Sequence, residues 1–118
     1  MNSDRSIADW YRIALPLLLL RELSVMPAHG YALIESLRSH GFDVKGAAVY
    51  PHLAKLQDEN LVDANWDAPA TGPARKVLTI TPRGTQRLVD LQSRWEQVRG
   101  LIDAVSANDE KATNGGTK

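Results

Sequence analysis

The side chains in this sequence best placed to do chemistry are cations, and the chemistry they suit is phosphate binding rather than bond breaking. Arg75 and Lys76 follow Ala68-Pro69-Ala70-Thr71-Gly72-Pro73-Ala74, a Pro- and Gly-containing stretch that reads as a loop. Two adjacent cations beside a projecting loop can reach phosphate oxygens or a minor groove. The plainer alternative is a hairpin edge kept from pairing by its charge. Upstream, Lys45 precedes a helical segment carrying Tyr50, His52 and Lys55. His52 and Lys55 lie three apart and are expected to share the helix face away from Val49 and Leu56. The Tyr50 hydroxyl is a further candidate for a backbone contact, and Pro51 beside it suits the first turn of a helix. Asp58 and Glu59 are expected at the helix end, pointing away from phosphate.

Catalytic chemistry has no comparable support. The three His (29, 40 and 52) have no i,i+4 pairing and no carboxylate in a metal-ligand pattern, and there is no Cys. Gly-Gly occurs only near the C-terminus, so no phosphate-cradling glycine loop is present. The expectation is therefore no enzyme, no cofactor and no metal. His29 and Tyr31 read as residues that start a helix and pack.

The whole chain sets the frame for these residues. Its 118 residues fit one domain, and 14 basic against 14 acidic side chains give a net charge of zero. The distribution is uneven: residues 43–74 carry net −3 and residues 75–99 net +4, so positive potential is local to the second half. The longest apolar run, Ile13 to Leu20, is too short for a membrane span. Asp4, Asp9 and the Arg21-Glu22 pair do not fit a signal peptide. Together with the lack of Cys, this leads to the expectation of a soluble cytoplasmic protein.

The elements that must position the cations can be read in order. Residues 4–24 have helical periodicity, with Ile7, Tyr11, Ala14, Leu17, Leu18 and Leu23 on one face and Pro16 predicting a kink or two abutting helices. Met26-Pro27-Ala28 reads as a break. Tyr31, Ile34 and Leu37 mark a second helix that stops at Gly41, and Ala48 or Val49, Leu53 and Leu56 a third that ends at Asn60. Residues 61–67 and 76–80 read as two antiparallel strands, with Trp66 packing on the strand. Thr81 and Pro82 then cap and open a last helix.

That helix carries Leu88, Leu91, Trp95, Val98, Ile102 and Val105 at alternating spacings of three and four, a heptad seam suited to its own copy in a dimer. The expected fold is mainly α with a small β-hairpin. It is a winged helix-turn-helix over residues 1–80, a C-terminal dimerisation helix over 81–106 and a disordered tail over 107–118. Such an arrangement presents one helix to the major groove of double-stranded DNA and a basic loop to its backbone. Trp95 at the seam, with Trp10 from the first helix, suggests an apolar wall for a small planar effector.

Three segments resemble PadR-type transcriptional regulators. They are Pro27-Ala28-His29-Gly30-Tyr31, Val49-Tyr50-Pro51-His52-Leu53-Ala54-Lys55-Leu56 with Asn60-Leu61-Val62, and Gly72-Pro73-Ala74-Arg75-Lys76 leading through Leu78-Thr79-Ile80 to Thr81-Pro82-Arg83-Gly84. The resemblance runs from about Leu17 to Val105 and implies a homodimeric DNA-binding regulator, usually a repressor, often responding to a small molecule or stress signal. Ala47-Ala48 departs from the family's common Gly-Thr or Gly-Ser, and Val77-Leu78 from its paired aromatics. The missing hydroxyl and the net −3 of residues 43–74 motivate one alternative, a winged-helix module that binds protein rather than DNA.

Overall fold

A computed structural model describes residues 2–115, with side chains from 7 to 105. The elements run α1 (Asn2–Val25), β1 (Ala28–His29), α2 (Gly30–Ser39), α3 (Gly46–Asp58), β2 (Val62–Asp67), β3 (Arg75–Ile80) and α4 (Pro82–Gly115). The chain divides into two compact units, Met1–Leu88 and Val89–Lys118.

In the first unit, leucines dominate the core. α1 contributes Leu15, Leu19, Leu20 and Leu23; α2 adds Leu33, Ile34 and Leu37; α3 adds Val49, Leu53 and Leu56. Leu61, Val62 and Leu78 close it from the sheet side, and no polar side chain among the described residues is buried there. The buried face of α1 meets the predicted one at Leu23 but is otherwise shifted. Leu17 and Leu18 are half-buried and Ile7 is exposed, while Leu15, Leu19 and Leu20 are fully buried. A run of four leucines satisfies several registers of a 3.6-residue period, so the sequence alone left the phase open. Pro16 sits inside one continuous helix rather than between two. It removes the donor that Arg12's carbonyl would use, and Arg12 is exposed, so water can serve instead. Ser36 Oγ donates to Glu22 Oε1 at 2.5 Å and ties α2 to α1.

Both short helices end the same way. After α2, the amide of Phe42 bonds the carbonyl of Leu37 and that of Gly41 the carbonyl of Arg38, with Gly41 at φ 102°. After α3, the amide of Leu61 bonds Leu56 and that of Asn60 bonds Gln57, with Asn60 at φ 61°. These are Schellman ends, in which a left-handed residue turns the chain so that otherwise orphaned carbonyls are satisfied. Phe42, carried past the first of these turns, meets the Tyr11 ring edge-on at 5.3 Å and 74°.

The expected hairpin forms, and it gains a third strand. The order is β1-β3-β2, all antiparallel, with Ala28↔Leu78 and His29↔Val77 on one side and Val62↔Ile80 through Asp67↔Arg75 on the other. The two-residue β1 lies where the sequence suggested only a break, because its pairing is with residues nearly fifty positions away and has no local signal.

Thr81 launches α4. Its hydroxyl accepts from the amide of Gly84 at 2.9 Å and donates to the carbonyl of Asn60 at 2.8 Å, while its own amide bonds Leu61 O at 3.1 Å. Arg87 Nη1 lies 3.7 Å from Glu59 Oε1, a second tie between α4 and the end of α3. In the second unit, helical backbone continues to Gly115, through most of the stretch read from the sequence as a tail; residues 116–118 lie outside the described residues.

Candidate nucleic-acid interface

A groove of about 760 Å³ opens between the start of α2, one flank of α3 and the strand β3. α3 contributes Tyr50, Ala54 and Gln57, whose spacing of four and three puts them on the flank of the helix facing the sheet. β3 contributes Arg75 and Lys76, and α2 contributes Tyr31 at its first turn.

Helix-end geometry and the sheet place these groups. Lys45 is the extended residue before α3, at φ −120° and ψ 159°, and its carbonyl accepts from the amides of Ala48 and Val49. Its side chain is exposed at the helix entry. On the wing, Lys76 stands opposite Trp66 and Arg75 opposite Asp67. Both cations are exposed, and neither is engaged in an ion pair among the described residues. His29 Nδ1 lies 3.2 Å from the carbonyl oxygen of Lys76. A carbonyl only accepts, so Nδ1 is the donor, and the bond ties the start of α2 to the strand carrying the cations.

The sequence-predicted residues distribute unevenly. Tyr50, Arg75 and Lys76 are brought to one groove. Lys55 is exposed on α3 but does not line it, and Lys45 lies at the helix start. His52 departs from its predicted face. It is half-buried and does not line the groove, because three residues from Val49 and four from Leu56 bring it back toward the core edge. Its pKa is lowered by burial and by the charges of Lys55 and Arg12.

Three features were not in the predicted site. Tyr31 is 68% exposed at the groove instead of packed. A hydrogen bond to Glu35, reinforced by that carboxylate's charge, raises its pKa, so its hydroxyl stays protonated. Gln57 supplies an amide to the same wall. Trp66, expected to pack on the wing, is 72% exposed: it shares a face with buried Val62 and half-buried Ala64, but burial fades along β2 toward its end. The Pro27–Tyr31 segment carried a signal for Tyr31 through its family resemblance; nothing local marked Gln57.

In the second unit the α4 seam is open in a single chain. Trp95, Val98, Ile102 and Val105 are all exposed, and Leu91 is half-buried, as is Leu88 just before the unit begins. Trp10, on α1 in the first unit, is also exposed. No helix among the described residues is long and apolar enough to cross a membrane.

Residues 19–90 match the model of the transcriptional regulator PadR-like family. The chain belongs to that family. A transcriptional regulator of Mycobacterium tuberculosis is 28% identical over 90 residues, covering 76% of this chain and 83% of its own. Among solved structures, a PadR-family regulator from Eggerthella lenta superposes with a TM-score of 0.80 at 26% identity, covering 87% of this chain and 90% of that one. The Bacillus subtilis PadR, solved in complex with operator DNA, gives 0.60 at 26% identity over 66% of this chain and 46% of that one. This PadR-like chain therefore has a winged-helix fold and is a transcriptional regulator rather than an enzyme.

Proposed function

We propose that this PadR-like regulator binds double-stranded DNA sequence-specifically as a homodimer and represses transcription from a pseudo-palindromic operator. The observation that carries the reading is the groove in which Tyr50 of α3 faces Arg75 and Lys76 of β3. A helix beside a strand of unpaired cations suits a duplex, with base edges on one side and phosphates on the other. The Bacillus subtilis relative solved with operator DNA supports DNA as the partner. Lys45 and Lys55 add exposed positive charge along α3, and His52 borders that face.

The dimer is formed through α4. Leu88, Leu91, Trp95, Val98, Ile102 and Val105 make a continuous apolar seam with nothing against most of it in one chain. Reading a pseudo-palindrome takes two recognition helices, with half-sites about 34 Å apart, one turn of DNA. Trp95 at the seam offers indole surface for a small planar apolar effector; such a ligand acts only by favouring one arrangement of the two wings over another. In this division residues 1–80 read DNA and 81–106 dimerise, in the cytoplasm where the chromosome lies.

A mobility-shift assay with the DNA upstream of the protein's own gene tests the reading. Specific retardation at low salt is expected. Retardation no stronger than with unrelated duplex removes it in favour of a winged-helix module that binds protein.

A further inference from the structure

Two glycines in the first unit have no conformational reason to be glycine. Gly30 opens α2 and Gly46 opens α3, and neither is among the positive-φ residues, unlike Gly41 and Gly72. In a helix a glycine is otherwise a liability, because it gives up more chain entropy than alanine and contributes no contact. What the two positions share is space. A Cβ on Gly30 would stand 2.7 Å from Tyr50 Cε1, and a Cβ on Gly46 would stand 3.0 Å from Cε2 and 3.2 Å from Cδ2 of the same ring. One edge of the ring thus lies on the backbone at the head of α2 and the other on the backbone at the head of α3. Tyr50 is nonetheless 49% exposed, so the seat grips the ring without enclosing it.

We infer that Gly30 and Gly46 are positioning residues that together form a side-chain-free slot for the Tyr50 ring, aiming its hydroxyl at a DNA phosphate in the groove opposite Arg75 and Lys76. The inference rests on the DNA-binding reading and deepens it. A tyrosine ring free on an exposed helix face would sample several rotamers and lose that freedom on binding; a ring already held by backbone on both edges has little left to lose. The obstructing atoms at either glycine belong to a half-exposed ring and not to backbone, so an alanine there displaces the ring and leaves the fold in place. Elsewhere in a helix, the same substitution would be expected to stabilise.

The test is a set of variants of the full chain, Y50F, Y50A, G30A, G46A and the double variant G30A/Y50A. It is read by fluorescence anisotropy with a labelled duplex at low salt and by the NMR ring resonances of Tyr50. Y50F and G30A are each expected to weaken binding about tenfold, the scale of one hydrogen bond to a charged group. G30A is expected to move the Tyr50 ring resonances and to add nothing to the loss already caused by Y50A. G30A and G46A binding like wild type would overturn the proposal, as would an equal loss from G30A with and without the tyrosine. Unmoved ring resonances in G30A overturn the slot itself. Failure of the wild-type protein to bind any duplex overturns the DNA reading and the role of the hydroxyl with it, while the resonances still decide whether the glycines hold the ring.

Discussion

The carbonyl oxygen of Leu61 lies against Gly84 so closely that no side-chain carbon fits between them. Leu61 leaves the left-handed turn at the end of α3, and Gly84 sits in the first turn of α4, so the missing Cβ sets how near the last helix comes to the exit of the third. A Cβ here would also meet Ile80 Cγ1 at 2.7 Å. The obstruction at Leu61 is backbone, which has little room to yield because its carbonyl also holds the Thr81 amide. Gly84→Ala is therefore expected to destabilise the fold by about 3 kcal/mol, at the upper end of what overpacking usually costs. Denaturant unfolding of the two proteins measures it, and a loss within experimental error would mean that α4 can move away freely.

Thr81 acts on the same junction from the other side. Its hydroxyl caps α4 through the Gly84 amide and also donates to Asn60 O. Thr81→Ala removes both bonds and should cost about 1–2 kcal/mol, while Thr81→Ser keeps the oxygen and most of the stability. A serine variant as unstable as the alanine variant would assign the effect to the lost methyl group.

These junction residues were legible in the sequence because their signals are local. Thr-Pro announces a helix start, and an Asn or Gly after an apolar stripe announces a left-handed stop; both stops were found where expected, at Gly41 and Asn60. What was not legible depended on distant partners. The phase of α1 is fixed by what packs against Leu15 and Leu19, not by the leucine run itself. β1 exists only because β3 is beside it. The groove likewise joins residues about 45 positions apart, so Arg75, Lys76 and Tyr50 could be named singly, but Tyr31 and Gln57 entered only when the sheet folded back on α2 and α3. His52 shows the cost of reading a helix face from a single spacing: Lys55 and Ala48 on one side of it are exposed, yet Val49 and Leu56 on the other are core.

The wing cations make a quantitative prediction. If Arg75 and Lys76 each neutralise a phosphate, replacing both with alanine should weaken binding similarly across unrelated sequences. It should also flatten the dependence of log affinity on log salt by about 1.8, since each phosphate contact contributes about 0.9 to the slope. Both side chains are exposed, so the fold is expected to be unaffected. Titrations at several salt concentrations decide it. An unchanged slope would mean that the wing does not touch the backbone.

His52 gives a pH dependence whose sign follows from its surroundings. Burial lowers its pKa first, and the charges of Lys55 and Arg12 lower it further, so the folded state favours the neutral ring. The unfolded chain titrates near pH 6.5. Above that value both states are neutral at this position, and the full stability is present. As pH falls below it, the unfolded chain takes up a proton that the fold resists, and stability declines until the folded-state pKa is passed. His52→Gln should flatten the stability profile between pH 7 and 5. A profile of the same steepness in the variant would assign the slope to other groups.

The α4 seam predicts both an assembly and its consequence. Trp95 and Ile102 are each about half exposed in a single chain, a poor state for an indole and a branched aliphatic seven residues apart along one helix face. Pairing with a second copy would bury both against their counterparts, in the way residues at the same heptad position meet in a coiled coil. Ile102→Glu places like charges opposite one another in that pairing, so it should shift the protein from dimer to monomer in sedimentation equilibrium. The substitution lies on an exposed face of the helix, so circular dichroism should change little. Its effect on DNA is the sharper test. A monomer keeps Tyr50, Arg75 and Lys76 on its own groove but loses the second half-site. Binding should therefore weaken strongly on a two-half-site duplex and barely on a single half-site. Equal losses on both would show that the seam supports the recognition unit itself and not the pairing of two.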